Sequence, residues 1–148
     1  MVSISTCPFF SSSSQLPWRT ALPSTPLPLP RPFPQYSQAV KYNGLVYCNG
    51  SIGIDPRTDE LVPGTVTDRA HMALQNLEAI VKTAGSGMNR VLKVNVFLSD
   101  MDDFDGMNEA WDQFFPEDPK PCRTCVEARQ LPLGTDVEIE MIASYDLE

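Results

Sequence analysis

Apolar residues recur at two spacings along this chain, and each change of spacing marks an element. Val40-Lys41-Tyr42 leads into Asn43-Gly44, a dipeptide suited to a two-residue hairpin turn, and Leu45 to Ile54 continues as a second strand. Asp55-Pro56-Arg57-Thr58 reads as a turn. Thr65 and Asp68 stand at the capping-box spacing and predict a helix start. Ala70, Ala73, Leu74, Leu77, Ile80, Val81 and Ala84 then fall on one helical face, and Gly85 stops the helix. A strand over Val91–Leu98 restores period two. Leu92, Val94, Val96 and Leu98 lie on the side expected to pack under the helices, with Lys93, Asn95 and Phe97 on the other.

A second helix runs from about Asp103 to Phe115 and is closed by Pro116. Phe104, Met107, Trp111, Phe114 and Phe115 are its apolar positions, and Asn108 shares their face. A buried amide must be satisfied, so Asn108 either ties down nearby backbone or reaches a ligand. Strands at 123–128 and 136–145 close the domain. The order strand, strand, helix, strand, helix, strand, strand implies an α+β domain with two helices packed on one face of a mixed sheet. The opposite face carries Asn95, Phe97 and Glu138. That is too polar for a closed core and too apolar for open water, as at a subunit interface.

Residues 1–35 differ in composition. They hold Ser11 to Ser14, eight of the 14 prolines, Arg19 and Arg31, and no Asp or Glu. Such proline density predicts an extended, disordered leader ahead of a folded domain at 36–148. An acid-free, Ser-rich, Arg-containing start is compatible with a mitochondrial transit peptide and equally with a plain tail on a cytoplasmic protein.

The net charge is −8, and all 19 acidic residues lie beyond the leader, against 9 basic ones there. That balance argues against nucleic acid and anionic membranes as partners. No apolar run approaches the roughly 18–20 residues of a membrane span. Of the four cysteines, Cys122 and Cys125 spell C-x-x-C, which in isolation suggests a redox pair or half a zinc site. On a strand, however, positions three apart face opposite sides, and the one histidine, His71, is remote, so metal binding is not expected.

Arg123 heads one strand and Glu138 stands near the start of the next, each among residues that favour burial. A guanidinium there needs a partner, and its planar fork suits a carboxylate: either Glu138 or that of a ligand.

With these residues in view, the chain resembles the RidA (reactive intermediate deaminase, YjgF) family over about residues 34 to 146. The matching stretches include Tyr36-Ser37-Gln38-Ala39-Val40, Asn49-Gly50-Ser51-Ile52-Gly53-Ile54-Asp55-Pro56, Val94-Asn95-Val96-Phe97-Leu98, Asn108, Pro121-Cys122-Arg123-Thr124-Cys125-Val126 and Val137-Glu138-Ile139-Glu140. The resemblance implies a chorismate-mutase-like fold, a homotrimer with a pocket at each subunit interface, and no cofactor or metal. It also implies hydrolysis of 2-enamine and 2-imine acids, such as 2-aminoacrylate, 2-iminobutanoate and 2-iminopropanoate, to 2-keto acids and ammonia. Arg123 corresponds to the carboxylate-binding arginine and Glu138 to the acid that positions the attacking water. The resemblance places Tyr36 with Arg123 and Glu138 among the catalytic residues, Asn108 and Cys125 among the substrate-binding ones, and Gly50, with Asn49 beside it, on the strand that lines the pocket. The chain departs at Pro34-Gln35, where many members have Gly-Pro, and at Asn49, where serine is common. Two other functions are compatible with the same pocket or family: a non-catalytic trimer binding small carboxylates or a partner protein, and a ribonuclease or translation inhibitor. The acidic surface opposes the last of these.

Overall fold

Asn43 and Gly44 both take positive φ, 47° and 78°, and turn the strand Ala39–Tyr42 (β2) back into Leu45–Cys48 (β3). The computed structural model describes residues 20–21 and 35–147. Past Cys48 the chain does not run on as one strand to Ile54. It breaks into two short strands, Ser51–Ile52 (β4) and Ile54–Asp55 (β5), the second folding onto Glu60–Leu61 (β6) as a small separate ribbon. Two close approaches explain the breaks. A Cβ at Gly50 would sit 2.1 Å from the Glu138 Oε1, and one at Gly53 would sit 2.7 Å from the Arg69 backbone. At Gly53 the backbone contact admits only glycine, whereas at Gly50 a Cβ would push the Glu138 carboxylate aside.

The long helix Val66–Thr83 (α1) begins where the capping box predicts. The Asp68 carboxylate accepts from the Thr65 backbone N–H at 2.8 Å, and Gly85 ends the helix at φ 80°. All seven apolar positions expected on its inner face are buried. Leu74 and Leu77 are fully enclosed, each worth about 2 kcal/mol by burial alone. Asn76 is also buried, its amide donating to the Ile54 carbonyl at 2.8 Å and tying down the broken strand.

Strand Val91–Leu98 (β7) keeps its predicted ends but not the predicted place of Leu92, which is 50% exposed. The pairing register shifts between Val91 and Lys93, so the extra residue turns outward and Val91 takes the inner position. Helix Phe104–Phe114 (α2), strand Cys122–Glu127 (β8) and strand Val137–Ser144 (β9) follow.

Among the described residues the main sheet begins with Thr20–Ala21 (β1) and runs β1-β2-β3-β9-β7-β8, with β4 also against β9; β7 and β8 are parallel and the other pairs antiparallel. The expected α+β architecture is present. The edge strand Thr20–Ala21 (β1) pairs with Val40 and Lys41, inside the zone whose proline density predicts no sheet pairing. It fits between Pro17 and Pro23. Apart from these two residues and Gln35, the expected leader lies outside the described residues. No helix among the described residues is long and apolar enough to cross a membrane.

Candidate active site

Register decides what Arg123 and Glu138 can do together. Arg123 lies opposite Val94, and Val94 opposite Met141, all on the helix-bearing side of the sheet. Glu138 lies opposite Phe97, and Glu140 opposite Asn95, on the open side. Side chains of paired residues share a face, so the guanidinium and the Glu138 carboxylate of one chain project from opposite faces. An internal Arg123–Glu138 ion pair is therefore excluded.

Helix α2 receives the guanidinium instead. Nη1 donates to the Asn108 Oδ1 at 2.7 Å and approaches the Met107 Sδ at 3.9 Å. The guanidinium carbon lies 4.7 Å from the Trp111 ring centre and 5.3 Å from that of Phe104, both within cation–π range. Phe104, Met107, Asn108 and Trp111 stand at i, i+3, i+4 and i+7, so one helical stripe supplies every one of these contacts. The amide of Asn108, expected either to tie backbone or to reach a ligand, holds the arginine. Among the described residues no carboxylate pairs with Arg123. With Nη1 engaged, Nε and Nη2 remain as the side-on fork that takes a carboxylate bidentately. Cys125, two residues on, shares this face, opposite the buried Val96. Burial raises its thiol pKa, and Arg123 offsets part of that rise. Cys122 lies opposite Lys93 on the other face, so the two C-x-x-C sulfurs diverge as their spacing predicts. His71 packs edge-on against Phe114.

The open face carries the second group. Glu138 is half-buried beside Gly50, and its carboxyl pKa is raised, first by burial and then by the neighbouring charge of Glu140. Glu140 accepts from the Asn95 amide at 2.8 Å, while Lys93 donates to the Thr124 hydroxyl at 2.5 Å. Asn49 is exposed next to Gly50; its backbone N–H donates to the Gln38 carbonyl at 2.8 Å, extending the β2–β3 pairing. Tyr36 lies two residues before Gln38, about half exposed.

The predicted residues thus fall into two groups on one chain: Arg123, Asn108 and Cys125 on the helix side, Glu138 and Gly50 on the open side. Asn49 adjoins the second group in sequence, and its bond to the Gln38 carbonyl ties it to the segment that carries Tyr36. Two described cavities, of about 530 and 200 Å³, include neither Arg123 nor Glu138 among their lining residues. Sequence reasoning assigned Trp111 and Phe104 to the core alone. Their spacing from Asn108 is the signal for the arginine cradle, but a core stripe has the same spacing.

Two helices on one face of a mixed sheet, with a half-apolar opposite face that no helix covers among the described residues, define an α+β class of chain. Within that class the family is clear. Residues 28–145 match the family model described as Endoribonuclease L-PSP, and the chain belongs to this family, which is the RidA (YjgF) family. It is 42% identical over 119 residues to the 2-iminobutanoate/2-iminopropanoate deaminase of Dermatophagoides farinae, covering 80% of this chain and 91% of that one. It is 43% identical over 111 residues to "Protein mmf1, mitochondrial" of Schizosaccharomyces pombe, covering 73% of this chain and 67% of that one. Among solved structures it is similar to E. coli TdcF with bound serine, at TM-score 0.75 and 36% identity over 80% of this chain and 94% of that one.

Proposed function

We propose that this protein is a cofactor-independent deaminase of small 2-imino and 2-enamino acids, working as a homotrimer whose sites form between subunits. The observation that carries the proposal is the guanidinium of Arg123, braced on α2 with its Nε–Nη2 edge unpaired among the described residues. A bound amino acid in TdcF and the deaminase name of the mite relative support a small carboxylate as its ligand. Because Glu138 projects from the other face, a site using both residues takes Arg123 from one subunit and Glu138 of the partner subunit. The half-apolar open face with Phe97, Tyr47 and Val126 provides the surface for that association.

The chemistry follows from this placement. Arg123 clamps the substrate carboxylate and fixes the imine carbon, an enamine such as 2-aminoacrylate first becoming the imine as a proton moves from its nitrogen to C3. Glu138 accepts a proton as water oxygen bonds to that carbon, and the resulting carbinolamine carries both hydroxyl and amine. Proton transfer to nitrogen, cleavage of the C–N bond and loss of the hydroxyl proton release ammonia and the 2-keto acid, one water being consumed. Help of this kind is worth about 10²–10⁴-fold, enough for a substrate already electrophilic at carbon. Tyr36, Asn49 and Gly50 shape the pocket on the Glu138 side, and Cys125 lines it beside Arg123. Neither metal nor cofactor takes part.

The test is ammonia release from 2-aminoacrylate generated in situ by a pyridoxal-phosphate dehydratase. Wild-type protein accelerates it and Arg123→Ala does not. Wild-type protein that binds 2-keto acids without accelerating release would leave a carboxylate-binding module in place of an enzyme. We also propose that residues 1–35 are a mitochondrial leader, the location named for mmf1; N-terminal sequencing of the mature protein decides between cleavage and a retained tail.

A further inference from the structure

Given the carboxylate site proposed for Arg123, on which this step rests, we infer that Trp111 is a positioning residue for substrate binding: together with Phe104 and Asn108 it holds the guanidinium in the orientation that receives the carboxylate. An arginine side chain has four rotatable bonds, and ordering one on ligand arrival costs affinity. Here that ordering is already done. The Trp111 ring lies 4.7 Å from the guanidinium carbon and is itself 5% exposed, locked in the core by Phe115 at 4.3 Å between ring centres. Asn108 fixes rotation about the guanidinium by accepting from Nη1. Ring and amide come from consecutive turns of one helix, so they move as a unit. A leucine at 111 keeps the site apolar but removes the nearer of the two rings, leaving Arg123 on Asn108, the Met107 sulfur and the more distant Phe104 ring.

The consequence lies in substrate binding rather than in the chemical step, since Trp111 touches the arginine and not the reacting carbon. Trp111→Leu should raise KM for the imine about tenfold while kcat changes by less than about threefold, and Trp111→Phe should recover most of the loss. Because that side chain is buried, a measurement on the unaltered ring is needed as well. The chain has two tryptophans, so Trp18→Phe leaves Trp111 as the sole reporter. Titration with 2-ketobutyrate should change its fluorescence saturably, and Arg123→Ala should abolish the change.

Three results overturn the inference, each at a different point. Trp111→Leu with wild-type KM, or with kcat and KM falling together, refutes the positioning role while the carboxylate site stands. Unchanged Trp111 fluorescence on saturation of an active enzyme does the same. An inactive wild-type protein that binds no 2-keto acid removes the carboxylate site itself and this role with it.

Discussion

Gly50→Ala is the sharpest perturbation of the proposed chemistry, because the fold tolerates it and the site does not. The added methyl would lie 2.1 Å from the Glu138 Oε1, 2.9 Å from Cδ and 3.2 Å from Cγ, where contacts under 3.0 Å essentially do not occur. Backbone strain does not arise, since Gly50 is not among the glycines with positive φ. The atoms that must yield are the end of a flexible side chain, so the carboxylate retreats by about 1 Å and the strands stay put. A misplacement of about 1 Å in a water-positioning group costs about 100-fold in rate. We therefore expect kcat for 2-aminoacrylate hydrolysis to fall about 100-fold, with the melting temperature within a few degrees of wild type. The contrast is Gly53→Ala, where the clash is with Arg69 backbone at 2.7 Å and stability itself must fall. Gly50→Ala with near-normal kcat would show that the Glu138 carboxylate is not the group that handles the water.

Two further predictions concern charge. Burial, then Glu140, raises the Glu138 pKa, so the folded state favours the protonated carboxyl; its stabilising contribution is complete below the ordinary carboxylate range and is lost as pH rises through the raised value. Glu138→Gln should accordingly melt higher than wild type at pH 7 and converge with it near pH 4, while losing turnover; an equal or lower melting temperature at pH 7 refutes the desolvation. Wild-type turnover should fall on acidification at a pH above the usual glutamate value of about 4.3, and Glu140→Gln should move that limb downward. At the other group, Asn108→Asp sets an anion where the amide oxygen now lies 2.7 Å from Nη1. It should weaken 2-keto acid binding by at least about tenfold without destabilising the fold, as isothermal titration and thermal melts would show.

Much of this fold was legible from periodicity because burial imposes it. The face of α1, the ends of β7 and the placing of Asn95, Phe97 and Glu138 on one side of the sheet follow from steps of three to four and of two. What periodicity missed depends on contacts distant in sequence. The strand from Leu45 breaks because Gly50 meets Glu138 and Gly53 meets Arg69, and neither meeting shows in local pattern. Leu92 fits the alternation, yet the register shift beside it turns it outward. The ribbon at 54–61 and the pairing of Thr20–Ala21 were likewise invisible within a turn-rich and a proline-rich stretch. Arg123 and Glu138 stood out as residues needing partners. Their placement on opposite faces required the register of three strands, and the proposed division of the site between subunits rests on it.

Subunit complementation tests that division most directly. Arg123→Ala and Glu138→Gln, each inactive alone, are unfolded together in equal amounts and refolded, with mixed oligomers verified by native mass spectrometry. In a closed ring where each site draws Arg123 from one subunit and Glu138 of the partner subunit, about a quarter of wild-type activity returns, because about one site in four joins two intact halves. Mixed oligomers without any recovered activity would contradict the shared site.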